Sequence, residues 1–266
     1  MRCGFIGLGS QGAPMARRMI DAGFAVTLWA RRADSLAPFA DTPAKTAASV
    51  PELGALSEHV GICVVDDAGV REVCAALIPA MQEGSRIVIH STVHPDTCVQ
   101  LAEQSAARGI KLLDAPVSGG EPAAKAGALT VMVGGDAGAF AAAKLVFESF
   151  GKLIVHLGSV GAGQHAKLIN NALLAANMAL AHHALQVGTE LELDRDALVA
   201  LIKASSGRSF GFETYARMPT PQTFAHGGAL LAKDLRLLGE LHGAGPSVAP
   251  IRDIAAPFLN LVLNKP

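Results

Sequence analysis

The chain has little net charge and no run of basic residues. Its 266 residues include 22 lysines and arginines against 23 aspartates and glutamates. Proteins that bind nucleic acid or an anionic membrane surface through phosphate groups usually present a concentrated patch of positive charge. The composition therefore argues against nucleic acid and membranes as partners.

Cysteines and long hydrophobic runs are equally scarce. Cys3, Cys63, Cys74 and Cys98 have no C-x-x-C spacing, so we expect small buried side chains and neither disulfides nor a metal site. The longest apolar run, 172–181, has about half of the ~20 residues that a membrane-spanning helix needs. Glycines near the amino terminus interrupt any apolar export signal, which predicts a cytoplasmic protein.

Apolar residues are plentiful, at 50% of the chain, which is enough to bury a large core. Up to about residue 157, short apolar runs alternate with helical patterns. These runs are RCGFIG, AVTLW, VGICVV, RIVIH, IKLLDAPV, LTVMVGG and KLIVHLG. Most of them are apolar throughout, as in strands covered by helices on both faces. The alternation predicts an α/β fold with a doubly wound, mostly parallel sheet.

The second half of the chain has only helical patterns. Apolar residues recur at spacings of three and four from Ala166 to Leu191, which predicts one long helix. Asp194 is suited to cap the next helix, Gly227 and Gly228 precede another, and Gly243 to Pro250 separate that one from a last helix.

The change of pattern predicts two domains. We expect an α/β domain over 1–160 and an all-α domain over 161–266 that is entered by the long interdomain helix. Because an all-α domain can bury helix faces between subunits, we also expect a homo-oligomer, either a dimer or a tetramer.

The segment after the first apolar run has the glycine spacing G-x-G-x-x-G. It reads Gly7-Leu8-Gly9-Ser10-Gln11-Gly12, opens a helical pattern that reaches Ala22, and precedes a second apolar run at 25–29. In such a β-α-β unit the glycines permit the turn, the approach of a pyrophosphate and close helix–strand packing. The first N–H groups of the helix favour phosphate. A tight turn is the alternative, but the context favours a dinucleotide site in a Rossmann-type domain.

The second apolar run ends in Trp29-Ala30-Arg31-Arg32. Enzymes that use NAD usually have an acidic residue here for the adenosine ribose. Two guanidinium groups and no carboxylate before Asp34 suit a 2′-phosphate, which favours NADP and leaves NAD as the second choice. If Arg31 and Arg32 are only a solvated helix start, either cofactor can serve.

Two further segments place polar groups where a substrate can bind. Ser118, Gly119 and Gly120 follow LLDAPV at the sheet edge, where their N–H groups and a hydroxyl can hold a carboxylate; the alternative is a Gly-Gly hairpin. Lys167 and Asn171 lie four residues apart on one face of the long helix. For Lys167 the alternative is a surface lysine whose charged end reaches solvent.

Together, GFIGLGSQGAPMA, DAPVSGGEPAAKAG and GAGQHAKLINN resemble the signatures of the β-hydroxyacid dehydrogenases, the group of 3-hydroxyisobutyrate dehydrogenase, tartronate semialdehyde reductase and 6-phosphogluconate dehydrogenase-like proteins. LLAKDLRL at 231–238 is similar to the K-D-L helix of that family, whose lysine approaches cofactor and substrate. By spacing alone, this helix is amphipathic with Lys233 and Asp234 in solvent. The resemblance implies hydride transfer between NADP(H) or NAD(H) and a small 3-hydroxy acid or its semialdehyde.

The resemblance also implies a role for each matching residue. Lys167 would be the general acid and base, Asn171 would hold the substrate, and Lys233 would approach both substrate and cofactor. The substrate carboxylate would bind at Ser118, Gly119 and Gly120. Ser91-Thr92 would meet the nicotinamide end, and Val65-Asp66 would line the cofactor groove. The predicted cofactor-binding residues are Gly7, Leu8, Gly9, Ser10, Gln11, Gly12, Arg31, Arg32, Val65, Asp66, Thr92 and Lys233.

The chain departs from the family pattern in three places. Ala30 stands where members that use NADP commonly have Asn, Asp66 stands where others have Pro, and the carboxyl terminus falls short of the usual helix end, where the substrate pocket would close. Two other functions are compatible with a dinucleotide fold. An imine reductase usually lacks a lysine at the position of Lys167, and a non-catalytic NADP-binding protein has no need of Ser118, Lys167 and Asn171 together. Both observations favour the dehydrogenase.

Overall fold

The computed structural model describes residues 1–241 and 245–264. The chain divides into two compact units, Met1–Lys167 and Leu168–Pro266, so that the division falls within the long helix. The first unit is α/β and the second is all-helical. Part of the interruption predicted from Gly243 to Pro250 lies outside the described residues.

A mixed, mostly parallel sheet forms the centre of the first unit. Its strands are β1 (Arg2–Ile6), β2 (Ala25–Trp29), β3 (Lys45–Thr46), β4 (His59–Ile62), β5 (Arg86–Ile89), β6 (Lys111–Asp114), β7 (Val117–Ser118), β8 (Leu129–Gly134) and β9 (Gly151–Gly158). The order is β3-β2-β1-β4-β5-β6-β8-β7, with β9 beside β8. The first six strands are parallel, and β8 is antiparallel to β6. The predicted doubly wound sheet is confirmed; only the two-residue strands β3 and β7 are too short for a pattern to reveal.

Helices cover both faces of this sheet. They are α1 (Gly12–Asp21), α2 (Val50–Leu56), α3 (Asp67–Leu77), α4 (Pro95–Ala106), α5 (Gly120–Lys125) and α6 (Ala137–Phe150). Because successive strand residues point to opposite faces, Phe5 packs with the side chains of α1 and α6, whereas Ile6 packs with those of α2, α3 and α4. The sheet order reverses beside β1, and open α/β sheets bind ligands at the carboxyl ends of the strands at such a point.

The second unit consists of helices. They are α7 (Ala162–Glu190), which starts in the first unit, α8 (Arg195–Ala204), α9 (Phe210–Ala216), α10 (Ala225–Glu240) and α11 (Val248–Val262). Asp194 caps α8 as predicted, because its carboxylate accepts from the Ala197 N–H at 2.8 Å. Within the described ranges, no helix combines the length and hydropathy that a membrane crossing requires.

Two predicted helix starts in the second unit are wrong. Gly227 and Gly228 lie within α10 instead of preceding it, and a side chain at Gly228 would meet Val262 of α11. That glycine therefore permits close packing of two helices. Pro250 lies in the first turn of α11 and not before the helix, where proline is tolerated because the first N–H groups have no intrahelical partner.

Candidate functional site

The glycine loop between β1 and α1 contains two kinds of glycine. Gly7 has a φ of 96°, and a Cβ there would meet the carbonyl oxygen of Cys63. A Cβ at Gly12 would meet the carbonyl oxygen of Gly7. At Gly9, by contrast, a Cβ would have nothing within 4 Å. Packing therefore requires glycine at positions 7 and 12, whereas at Gly9 the open space is available to a ligand.

The amino end of α1 has no side-chain cap. Among the residues that the structure describes, no side chain accepts a hydrogen bond at its N-cap, Gln11, and its first turn has no acidic residue. Other helices of the unit differ: Asp66 accepts from Gly69 at the start of α3, and Asp136 accepts from Ala139 at the start of α6. The Ala13 N–H donates to the Gly9 carbonyl at 2.9 Å, and Pro14 has no N–H. A pyrophosphate at the start of α1 would therefore be stabilised by the Gly12 N–H and the helix dipole.

The two arginines after β2 are exposed and have different surroundings. The Arg31 guanidinium lies 2.7 Å from the Glu72 carboxylate of α3, with both side chains about 70% exposed. Arg32 occupies the N-cap position of a 3₁₀ segment, Ala33–Phe39, and forms no capping bond through its side chain. Arg32 is therefore exposed at the start of this segment, and Arg31 is paired with an acidic residue.

The segments after β4 and β5 carry the other predicted cofactor residues. Val65 is 76% exposed, and its neighbour Asp66 uses its carboxylate to cap α3. Thr92 is half-buried. It follows Ser91, whose hydroxyl accepts from the Val64 N–H at 2.8 Å and so connects the two segments.

The Ser118-Gly119-Gly120 segment is not a hairpin turn. Ser118 ends β7, opposite Thr130 of β8, and α5 begins at Gly120, so a helix connects the two antiparallel strands. Gly119 and Gly120 have φ values of 129° and 66°, which residues other than glycine rarely adopt. The backbone at both positions therefore favours glycine.

The amino end of α7 differs from that of α1 because an internal carboxylate fills it. Asp114, the last residue of β6, accepts from the N–H groups of Gly161 at 2.7 Å and Gln164 at 2.8 Å. A Cβ at Gly163 would meet the carbonyl oxygen of Met132. Burial raises the pKa of Asp114, although the backbone N–H groups act in the opposite direction.

Gln164 is a buried polar residue that the sequence reasoning missed. Its Nε2 donates to the Ser91 carbonyl at 2.8 Å, and its Oε1 accepts from the Val93 N–H at 3.1 Å. The available signal was helical spacing, because Gln164, Lys167 and Asn171 follow one another at i, i+3 and i+7 and share one face of α7.

Lys167 is not an exposed surface residue. Only 8% of the residue is exposed, so the surface alternative does not describe it. Buried lysines are rare unless they are paired or functional.

In the second unit, the structure brings Asn171 together with Lys233 and Asp234. The Asn171 Nδ2 donates to the Asp234 carboxylate at 2.6 Å, and its Oδ1 accepts from Asn170 at 3.1 Å. Lys233 Nζ lies 3.2 Å from the other Asp234 oxygen, as an ion pair without hydrogen-bond geometry. Asp234 is 2% exposed, so the solvent position that spacing alone assigns to Asp234 is wrong. A contact between positions 63 residues apart leaves no local signal in the sequence.

The cysteines take no part in these sites. Cys3, Cys74 and Cys98 are buried and Cys63 is half-buried, all four as free thiols. Burial raises the pKa of Cys63 to about 12. Within residues 1–241 and 245–264, no group of three or more His, Cys, Asp or Glu side chains is arranged to hold a metal ion.

Comparison with known proteins agrees with this architecture. Residues 2–158 match the NAD binding domain of 6-phosphogluconate dehydrogenase, and residues 161–263 match the NAD-binding domain of NADP-dependent 3-hydroxyisobutyrate dehydrogenase. The NAD-dependent L-serine dehydrogenase of Pseudomonas aeruginosa is 34% identical over 98% of this chain and 92% of that enzyme. The 3-hydroxyisobutyrate dehydrogenase of the same organism is 34% identical over 98% of this chain and 89% of that enzyme.

A solved structure shows the same fold over nearly the full chain. The 3-hydroxyisobutyrate dehydrogenase of Mycobacterium tuberculosis, determined with L-serine, covers 98% of this chain and 96% of that one, with 28% identity and a TM-score of 0.81. The chain therefore belongs to the β-hydroxyacid dehydrogenase family, the NAD(P)-dependent oxidoreductases that act on hydroxy acids.

Proposed function

We propose that this chain oxidises a small 3-hydroxy acid to its semialdehyde, and catalyses the reverse reduction, with NADP(H) as the preferred cofactor. The observation that carries the proposal is the buried Lys167, which shares a helix face with Asn171. Relatives named for 3-hydroxyisobutyrate and L-serine support the 3-hydroxy acid class.

The dinucleotide would be held by the predicted cofactor-binding residues of the first unit. The pyrophosphate would lie over Gly9 and the start of α1, Val65 and Asp66 would line the groove, and Thr92 would meet the nicotinamide. Arg31 and Arg32 would bind a 2′-phosphate through guanidinium hydrogen bonds, which supports NADP over NAD. When bound, the cofactor supplies the hydride acceptor for oxidation and the hydride donor for reduction.

Lys167 would exchange a proton with the substrate hydroxyl oxygen. In the oxidation direction, the neutral amine accepts the hydroxyl proton while the carbon–oxygen bond becomes a carbonyl; in reduction, the ammonium returns that proton. A positioned acid or base of this kind contributes about 10²- to 10⁴-fold to the rate. Burial also keeps bulk water from this group, which limits loss of the proton to solvent.

Asn171, Ser118, Gly119 and Gly120 would orient the substrate. The Asn171 amide nitrogen donates to the buried Asp234 carboxylate. This bond fixes the orientation of the Asn171 side chain and therefore the position of its amide oxygen. The N–H groups at Gly119 and Gly120 and the Ser118 hydroxyl would hold the substrate carboxylate, which explains the choice of an acid as substrate. Lys233 would add a positive charge near both ligands.

An assay of both cofactors against several substrates tests the proposal. Purified protein is assayed for reduction of NADP⁺ and of NAD⁺ with 3-hydroxyisobutyrate and L-serine, and for oxidation of NADPH and NADH with glyoxylate and with succinic, tartronate and methylmalonate semialdehydes. We expect turnover with at least one 3-hydroxy acid pair and a higher kcat/KM with NADP(H). Binding of the dinucleotide without turnover of any pair would contradict catalysis and favour a binding protein.

We also propose that the chain forms a homo-oligomer through α7. Apolar side chains on one face of this helix, each at least half exposed, recur at spacings of four and seven residues: Ile169, Leu173, Leu180 and Val187. Exposed apolar stripes of this kind mark interaction surfaces. Light scattering should find a dimer or tetramer for the natural chain and a monomer for Leu180→Glu; a monomeric natural chain would contradict the proposal.

A further inference from the structure

Gln164 joins the first turn of α7 to the segment that follows β5. Its side-chain amide uses both ends, because Nε2 donates to the Ser91 carbonyl and Oε1 accepts from the Val93 N–H. The side chain is fully buried, so water cannot replace either partner without rearrangement. The two bonds together fix the position and the orientation of residues 91–93.

The same segment is hydrogen-bonded to the end of β4. The Ser91 hydroxyl accepts from the Val64 N–H, and Asp67 accepts from the N–H of His94 at 2.9 Å and from the hydroxyl of Thr97 at 2.6 Å. These contacts hold the segment at the Ser91 side chain and at His94, whereas Gln164 holds it at the Ser91 carbonyl and the Val93 N–H.

Gln164 is also placed relative to Lys167 by the helix itself. The two residues are three positions apart, so their side chains leave α7 on the same side. The face of α7 that carries Lys167 is therefore the face that Gln164 bonds to residues 91–93. Asp114 secures this helix end from β6 through the N–H groups of Gly161 and Gln164.

We propose that Gln164 is a positioning residue that sets the distance and orientation between Lys167 and residues 91–93. The inference rests on the proposed function, in which this segment meets the nicotinamide end and Lys167 exchanges a proton with the substrate. Gln164 acts through these two elements. Small displacements are costly in such an arrangement, since about 1 Å of misplacement can reduce the rate about 10²-fold.

Two variants separate positioning from simple stabilisation. Gln164→Met removes both hydrogen bonds with little change in side-chain length. We expect kcat to fall about 10- to 100-fold and amide hydrogen exchange of residues 91–94 to accelerate at least about tenfold. The NADPH Kd should stay within about threefold, because Gly9 and Arg31 are intact. Gln164→Glu keeps the acceptor, and its protonated form restores a donor for the Ser91 carbonyl. Its activity relative to the natural chain should therefore rise as the pH is lowered.

Ser105→Ala is the matched control. The Ser105 hydroxyl is also fully buried and donates to the Leu101 carbonyl at 2.7 Å, at the end of α4 far from residues 91–94. Its loss should lower the midpoint of thermal unfolding but leave kcat and the exchange of residues 91–94 unchanged.

The outcomes decide the proposal in each case. Turnover of Gln164→Met within threefold of the natural chain, or unchanged exchange in residues 91–94, overturns it. If Gln164→Met does not fold, a relative activity of Gln164→Glu that is independent of pH overturns it and a rise at low pH supports it. If the natural chain turns over no substrate pair, the proposed function has failed, and the exchange of residues 91–94 in Gln164→Met and Gln164→Glu still decides whether Gln164 fixes the segment.

Discussion

The amino ends of α1 and α7 have similar, glycine-rich sequences but differ in the groups that surround them. Each begins after closely spaced glycines, and each lies at the carboxyl edge of strands in the first unit. At α7 the Asp114 carboxylate accepts from the N–H groups of Gly161 and Gln164, whereas Gln11, the N-cap residue of α1, forms no capping bond through its side chain. The space also differs, because a Cβ at Gly163 would meet the carbonyl oxygens of Met132 and Asp114, whereas a Cβ at Gly9 would have nothing within 4 Å.

The difference shows that glycines before a helix have two distinct uses. In α7 they allow the helix to approach the sheet closely enough for a strand residue to satisfy its N–H groups, which fixes the helix in place. In α1 they keep space at Gly9, beside the positive end of the helix dipole, for a ligand that carries negative charge. A buried carboxylate from another element distinguishes the first use from the second.

The largest change in stability or cofactor binding should come from placing valine at the start of each helix, at Gly163 for α7 and at Gly9 for α1. Gly163→Val should prevent folding or lower the free energy of unfolding by more than about 4 kcal/mol, because the new methyl groups would overlap backbone atoms that cannot move. Gly9→Val should change that free energy by less than about 0.5 kcal/mol and weaken NADPH binding at least about 100-fold, by occupying the space of the pyrophosphate. Denaturant unfolding and fluorescence titration measure both. Wild-type affinity in Gly9→Val would remove the distinction between the two ends.

Removing the Asp114 cap of α7 should lower the free energy of unfolding less than adding a side chain at Gly163 does. Asp114→Ala should lower the free energy of unfolding by about 3 kcal/mol, since two buried N–H groups lose a charged acceptor. The control at the other helix is Gln11→Ala, which should change it by less than about 0.5 kcal/mol because the Gln11 side chain makes no capping bond. Equal losses in the two variants would contradict the comparison.

Acid sensitivity should come from the sheet core and not from either helix end. Burial lowers the pKa of His59 to about 3 and that of His90 to about 4. The unfolded chain takes up protons near pH 6.5, which the folded chain does not do until a much lower pH. The free energy of unfolding should therefore fall by about 2 kcal/mol per histidine between pH 6.5 and pH 5.

A variant at His59 assigns this loss to its source. His59 has no hydrogen-bond partner among the described residues, so His59→Met should remain folded and lose less stability on acidification. A pH profile of His59→Met that matches the natural chain would contradict the assignment.

The smallest effect concerns the charges beside the α1 site. Arg31→Ala should weaken NADPH about tenfold more than NADH, through loss of one charged hydrogen bond to the 2′-phosphate. Because Glu72 now pairs with Arg31, Glu72→Gln should strengthen NADPH about two- to fivefold at low ionic strength, with NADH unchanged; exposed pairs contribute no more than this. Equal effects on NADPH and NADH binding would contradict a preference for NADP and favour the alternative that either cofactor can serve.

The sequence predicted what depends on local spacing. Alternation of apolar runs gave the sheet, and G-x-G-x-x-G after a strand identified the start of α1. It did not reveal Asp114 or Asp234, because their partners, Gly161 and Asn171, lie 47 and 63 positions away. For a related reason, the glycine pattern wrongly predicts a helix boundary at Gly228: only the packing of α10 against Val262 shows why a helix interior needs glycine there.

The most direct test of the account compares turnover with binding in Lys167→Ala. We predict that kcat for the preferred substrate falls about 10²- to 10⁴-fold, while the NADPH Kd stays within about threefold because the α1 end is unchanged. Unchanged kcat would show that the proton travels through another group and would contradict the role assigned to this face of α7.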